Sequence, residues 1–126
     1  DYVICLAVIE HISNATFFIN EISRVLKSDS VLFLCTPNWT YSYKNFYDDY
    51  THTRPYTRKS LKSLLEDNNF TNINLLPGLR NKPFWMYKIS FAFYLASILP
   101  FTNDKKFLPN FLKGKASSIF AIAKKK

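Results

Sequence analysis

Residues 1–12 read DYVICLAVIEHI, an acidic first residue followed by an uninterrupted apolar run and then a Glu-His pair. A continuous apolar run of this length, rich in β-forming residues, is typical of a strand covered on both faces of a parallel sheet. We therefore predict a buried strand over Tyr2 to Val8, with Glu10 and His11 just beyond its carboxyl end.

The residues that follow predict a β-α-β unit. Ser13 and Asn14 offer N-cap oxygens for a helix. Its predicted apolar face consists of Phe18, Ile22, Val25 and Leu26. After the break at residues 28–30, a second apolar run, Val31 to Cys35, ends at Thr36-Pro37. Two such strands joined by a helix are expected to be parallel, with a right-handed crossover.

The chain from residue 38 to 55 is polar and aromatic, and long loops of this kind tend to carry functional residues. Thr57 is predicted to cap the next helix. The apolar face of that helix is expected to consist of Leu61, Leu64 and Leu65. Two further strands are predicted over Asn72 to Leu76 and Ser117 to Ala123.

The segment Phe84 to Phe101 is apolar nearly all round, and it forms the centre of a predicted hydrophobic helical insertion at about residues 80–114. Three placements remain open: a helix buried in protein, a helix lying in the plane of a membrane, and a helix spanning the bilayer. With about 16 helical residues, the segment falls short of the roughly 20 that a span requires.

Composition limits the classes of function. The 126 residues include only two glycines, Gly78 and Gly114, which excludes a glycine-rich phosphate loop. Cys5 and Cys35 each lie in an apolar run, which favours a reducing, cytoplasmic compartment over a disulfide framework. The net charge of +8 is concentrated in lysines near the end of the chain, so nucleic-acid binding is not expected and an anionic membrane stays open as a partner.

Three stretches together resemble the class I S-adenosylmethionine-dependent methyltransferases. Residues 1–12 look like the family's fourth strand with its Glu-His pair. Residues 21–38 are similar to a helix ending in R-V-L-K, a turn and a strand ending in P-N. Residues 49–57, which read DYTHTRPYT, are similar to a loop of the type 11/23 group. The order and spacing of the three stretches over residues 1–76 carry the resemblance.

The resemblance implies a partial Rossmann-like, doubly wound α/β sheet, mixed with an antiparallel last strand. Because Asp1 leads directly into a strand, we expect residues 1–126 to be the C-terminal part of the domain, cut off from its N-terminal half and inactive alone. The implied function is methyl transfer from S-adenosyl-L-methionine to a small-molecule, glycan or lipid-linked acceptor. The alternative is a basic module that binds a membrane surface without catalysis, in which Phe84 to Phe101 makes the contact.

The resemblance also implies roles for individual residues. The residues expected to bind the cofactor are Cys5, Leu6, Ala7, Glu10 and His11. His52 and His11 are the expected catalytic residues. The residues expected to bind substrate are Asn38, Tyr47, Asp49 and Arg54. The residue types alone are also compatible with structural roles. Glu10 could cap the next helix, His11 could pack on the first turn of that helix, and His52 could brace its own loop.

A resident metal is not expected. Some relatives bind a divalent metal through a Glu-x-x-Glu-His motif and a distant histidine. The first position of that motif is Ala7 in this chain. Glu10, His11 and His52 alone offer too few oxygen ligands for magnesium.

Overall fold

The computed structural model describes residues 1–78, 107 and 115–126. The strands are β1 (Tyr2–Leu6), β2 (Val31–Pro37), β3 (Phe70–Gly78) and β4 (Ser118–Lys125). The helices are α1 (Ala15–Val25), the single turn α2 (Trp39–Ser42) and α3 (Arg58–Asp67), with short 3-10 turns at Ile9–His11 and Phe46–Asp48. The segment Phe84 to Phe101 of the predicted insertion lies outside the described residues.

The four strands form one mixed sheet in the order β1-β2-β4-β3. β1 and β2 are parallel, with Tyr2 opposite Val31 and Leu6 opposite Cys35. β4 lies between β2 and β3 and is antiparallel to both. This arrangement confirms the predicted α/β fold, including its antiparallel last strand.

The bounds of β1, β3 and β4 differ from the prediction. β1 ends at Leu6 rather than Val8, because Ala7 adopts a left-handed backbone conformation with φ of 52°. β3 is longer than the predicted Asn72 to Leu76, since residues 70–71 and 74–78 pair with β4 on either side of a register shift. β4 continues into the lysine tail and ends at Lys125.

The core lies on one face of the sheet. Alternating side chains of β2 and β4 pack there against both α1 and α3 in a single cluster. The buried apolar side chains of α1 are Ala15, Ile19 and Ile22, and its C-cap residue Leu26 is buried with them. The predicted face was partly wrong, because Val25 is 61% exposed while Ile19 is fully buried.

The predicted burial of β1 on both faces was also wrong. Tyr2, Ile4 and Leu6 point away from α1 and are each more than half exposed. In the adjoining strands, Phe33 and Phe120 on this same face are partly exposed. One face of the described sheet is therefore covered by helices, and the other presents apolar side chains.

Among the described residues, no helix is long and apolar enough to cross a membrane.

Candidate active site

The site lies where β1 and β2 end, because the carboxyl ends of parallel neighbours meet at one edge of a sheet. The backbone N–H of Ala7 donates to the carbonyl of Cys35 over 2.9 Å, which ties the two strand ends together. After β1 the chain continues into the turn Ile9–His11, and after β2 it reaches Asn38 and begins α2. The two predicted clusters, Glu10-His11 and Pro37-Asn38, therefore share one edge.

Glu10 is the residue around which this edge is assembled, and only 1% of it is exposed. Its carboxylate accepts a hydrogen bond of 2.9 Å from the hydroxyl of Thr36 at the end of β2. Its carbonyl oxygen accepts from the backbone N–H groups of Thr53 and Arg54 over 2.9 and 3.0 Å. Glu10 thus joins β1, β2 and the loop that carries His52. The N-cap of α1 is instead Asn14, whose side chain accepts from the N–H of Phe17.

His11 and His52, the predicted catalytic residues, are brought together although 41 positions separate them in the chain. Their ring centroids are 4.7 Å apart. Nδ1 of His11 lies 2.9 Å from the hydroxyl oxygen of Thr51. Nδ1 of His52 lies 2.6 Å from the carbonyl oxygen of Phe46, so His52 also braces its own loop. Nε2 of His52 lies 3.8 Å from a carboxylate oxygen of Asp49.

Glu10, His11 and His52 each offer a potential metal-ligand atom, and these three atoms lie within 4.8 Å of one another. Two imidazoles and one carboxylate suit a first-row transition cation better than magnesium. One oxygen of Glu10 is already engaged by Thr36, and Ala7 supplies no side-chain ligand. The absence of a resident metal stays a prediction.

The residues predicted to meet the cofactor divide into a buried and an exposed set. Cys5 is buried, and burial raises the pKa of its thiol to about 11. Leu6 and Ala7 are exposed at the strand end. A left-handed conformation costs a residue other than glycine roughly 1–2 kcal/mol and is often found at functional sites. The bend at Ala7 turns the chain at this edge, where Leu6 and Ala7 are exposed.

The predicted substrate residues differ in accessibility. Asn38 is buried: its side-chain oxygen accepts from the N–H of Thr40, and its amide donates to the carbonyl of Ala116. Asp49 and Arg54 are exposed on the loop beside the histidines. Tyr47 is 58% exposed, with its ring packed edge-on against an aromatic cluster. That cluster consists of Trp39, Tyr43, Phe46 and Tyr47.

Sequence reasoning missed Thr36, Thr51 and Thr53, whose hydroxyls bond to Glu10 or His11. Thr51 and Thr53 lie inside the loop that carries the family resemblance, but nothing in their spacing assigned them a partner. The partners become visible only when the loop is placed against the end of β1.

Comparisons with solved structures support the fold. A methyltransferase from Archaeoglobus fulgidus, described as S-adenosylmethionine-dependent, is 20% identical, with a TM-score of 0.67 over 99% of this chain and 59% of its own. One from Thermotoga maritima, described as a possible histamine N-methyltransferase, is 13% identical, with a TM-score of 0.66 over 100% and 56%. The chain therefore spans somewhat more than half the length of these two proteins.

A third structure contains ligands. It is a phosphoethanolamine N-methyltransferase from Haemonchus contortus in complex with S-adenosylhomocysteine, 16% identical, with a TM-score of 0.56 over 99% of this chain and 33% of its own. No curated protein sequence matches the chain significantly.

The sequence of residues 1–75, more than half of the chain, matches a family model described as a methyltransferase domain. These residues contain β1, β2, Glu10, both histidines and most of β3. The chain belongs to the methyltransferase domain family, and its fold is that of S-adenosylmethionine-dependent methyltransferases.

Proposed function

We propose that the protein containing this chain transfers a methyl group from S-adenosyl-L-methionine to a small-molecule, glycan or lipid-linked acceptor. The observation that supports this most directly is the convergence of Glu10, His11 and His52 at the shared carboxyl ends of β1 and β2. Ligands of open α/β sheets bind at this edge. The family assignment supports the reaction, and the convergence supports this edge of the sheet as its proposed place.

The cofactor offers a methyl group on a sulfonium sulfur, which is already an excellent leaving group. The chain's own task is to align the acceptor with that methyl group and to exclude water. Leu6 and Ala7, which are exposed at the end of β1, would hold the cofactor together with Cys5, Glu10 and His11. The new bond forms between the acceptor's lone pair and the methyl carbon as the carbon–sulfur bond breaks.

An acceptor hydroxyl or ammonium group must also lose a proton, and we assign its removal to His52, with His11 beside it. His52 is only 15% exposed and lies against Phe46, so water has little access to it. General acid–base catalysis of this kind contributes about 100- to 10,000-fold in rate. The exposed loop side chains of Tyr47, Asp49 and Arg54 are proposed to contact the acceptor. Asn38 is proposed to form part of the wall of the acceptor site.

The location of the reaction is proposed to be the cytoplasm. The two cysteines are free, which is the usual state of thiols in a reducing compartment. We also propose that Phe84 to Phe101 contacts a membrane, which would favour a lipid-linked acceptor. Co-sedimentation with anionic liposomes tests it, and recovery of all protein in the supernatant at low salt contradicts it.

The experiment that tests the transfer itself uses the whole protein with radiolabelled S-adenosylmethionine and a panel of hydroxyl and amine acceptors. We expect label in one acceptor class and a loss of at least 100-fold in kcat for His52→Gln, because glutamine fills similar space without a basic nitrogen. Lys62→Gln, on the exposed face of α3, is the matched control and should retain full activity. The assignment of His52 fails if His52→Gln retains wild-type kcat.

A further inference from the structure

Asp49 is connected to both histidines, to His11 through Thr51 and to His52 directly. One oxygen accepts hydrogen bonds from the backbone N–H and the hydroxyl of Thr51. The other lies 3.8 Å from Nε2 of His52. The two hydrogen bonds from Thr51 lower the pKa of the Asp49 carboxyl, which keeps it ionised. A single carboxylate is therefore connected to both rings.

The hydroxyl of Thr51 determines which nitrogen of His11 carries the hydrogen. A hydroxyl has one proton to donate, and the proton of Thr51 is directed to Asp49. Toward His11 the same oxygen offers only a lone pair, 2.9 Å from Nδ1. The carbonyl oxygen of Thr51, 3.2 Å from Nδ1, is also an acceptor. With two acceptors facing it, Nδ1 of His11 must carry the hydrogen, and Nε2 keeps its lone pair.

His52 is held in the same tautomer by a different group. Its Nδ1 lies 2.6 Å from the carbonyl oxygen of Phe46, which can only accept. The neutral ring therefore carries its hydrogen on Nδ1. Both histidines thus keep the lone pair of Nε2 free, within a cluster whose rings are 4.7 Å apart. An Nε2–H tautomer would have no lone pair there and could not accept a proton at that atom.

We propose that Asp49 and Thr51 are positioning residues that fix His11 as its Nδ1–H tautomer and orient its ring toward His52. This inference rests on the proposed function only in that the paired rings receive the acceptor's proton. The proton leaves the acceptor heteroatom for Nε2 of His52, where the nearby carboxylate of Asp49 faces the positive charge that forms. In its neutral form His11, held as the Nδ1–H tautomer by Thr51, lines the same space with a lone pair rather than a hydrogen at Nε2.

The test reads the tautomer directly, by long-range ¹H–¹⁵N correlation spectra of the ¹⁵N-labelled chain at a pH where both rings are neutral. We expect His11 of the unaltered chain to show a protonated Nδ1 and an unprotonated Nε2. Thr51→Ser retains the hydroxyl and should give the same spectrum. Thr51→Val should populate the Nε2–H tautomer measurably, since only the longer contact to the carbonyl remains.

Asp49→Ala is the stronger variant, because it frees the hydroxyl proton of Thr51 to be donated to Nδ1 of His11. We expect the Nε2–H tautomer to predominate in it. Asp48→Ala removes the adjacent carboxylate and should leave the tautomer unchanged. The proposal is overturned if the unaltered chain already carries Nε2–H on His11, or if Thr51→Val and Asp49→Ala, with native amide dispersion, both retain its Nδ1–H form.

The enzymatic readout separates this inference from the proposed function. In the whole protein, Thr51→Val should lower kcat roughly tenfold, a part of the 100- to 10,000-fold that acid–base catalysis contributes. Thr51→Ser should restore that rate. Absence of transfer in the unaltered protein would refute the proposed function while leaving the tautomer result intact.

Discussion

At the scale of single residues, the site depends on a carboxylate that is almost completely removed from water. Burial of an ionised group is costly unless hydrogen bonds replace its hydration. The carboxylate of Glu10 receives such a bond from the hydroxyl of Thr36, on the neighbouring strand. The same contact that stabilises the charge also fixes the end of β1 against the end of β2.

Replacement of Thr36 by valine, which keeps the shape of the side chain, should therefore destabilise the fold by about 1–3 kcal/mol. Urea unfolding of the chain measures this. Glu10→Gln and the double variant complete the cycle, and we expect a coupling between the two positions on the order of 1 kcal/mol. Additive effects would mean that the bond contributes nothing to stability.

The proximity of the two histidines and Glu10 leads to a second prediction at the residue scale, on the effect of metal ions on activity. Because a resident metal is not expected, chelation with EDTA should leave methyl transfer by the whole protein unchanged. Added Zn²⁺ should inhibit it, since imidazole nitrogens and a carboxylate bind this ion readily and the nitrogen that accepts the proton would be occupied. Loss of activity in EDTA with recovery in Mn²⁺ would contradict both expectations.

The sequence predicted only those site residues that belong to motifs of the family. The Glu-His pair and the loop containing His52 could be picked out because their residue types and order match a family. The partners of Glu10 and His11 could not, because threonine hydroxyls bond to many groups and their geometry depends on how the loop folds back. Asn38, which was expected to bind substrate from its position at the strand end, also has partners that its residue type did not indicate, because its buried side chain bonds to Thr40 and Ala116 within the fold.

At the scale of elements, local chemistry predicted the helix starts better than the strand ends. Thr57 caps α3 as predicted, and Ser60 completes a reciprocal capping box with it. β4 runs beyond its predicted end at Ala123 into the lysine tail, because Lys124 pairs with Val31 of β2 and Thr71 of β3. Tertiary pairing of this kind has no signature in a short window of sequence.

Asn69 shows how the turn between α3 and β3 is made, and it gives a prediction for this element. Its φ of 67° lies in the left-handed region, where glycine has no penalty and asparagine is the next best choice. Asn69→Gly should raise the free energy of unfolding by a few tenths of a kcal/mol, and Asn69→Ala should lower it by roughly 1 kcal/mol. Thermal unfolding compares them, with Asp67→Ala on the exposed side of α3 as the control. Equal stability of the alanine and glycine variants would show that this turn is not under strain.

At the scale of the whole molecule, the topology could be predicted because it follows from a few strong signals. Two apolar runs separated by an amphipathic helix imply parallel neighbours, and the family resemblance implies the antiparallel last strand. The exposure of one sheet face could not be predicted, because an apolar strand reads the same whether one face or both are covered. Tyr2, Ile4 and Leu6 are in this sense compatible with either state.

The pH dependence of global stability should reveal two groups buried in the core. Burial raises the pKa of Cys5 from 9.0 to about 11 and that of Tyr56 from 10.0 to about 12. A group whose pKa is higher in the folded state holds its proton more tightly there, so stability falls once the pH exceeds its unfolded value. The contribution of Cys5 should be lost between about pH 9 and 11, and that of Tyr56 between about pH 10 and 12. Each contribution is on the order of 2 kcal/mol.

Urea unfolding of the unaltered chain and of Tyr56→Phe between pH 8 and 12 isolates the part due to Tyr56, because lysine deprotonation affects both proteins equally. The hydroxyl of Tyr56 is buried and has no hydrogen-bond partner among the described residues. An unsatisfied buried hydroxyl is costly, so at pH 8 the variant should be at least as stable as the unaltered chain. Above pH 10 the unaltered chain should lose stability faster, and the difference should widen by about 2 kcal/mol toward pH 12. Parallel curves for the two proteins would mean that water or an acceptor reaches this hydroxyl in solution.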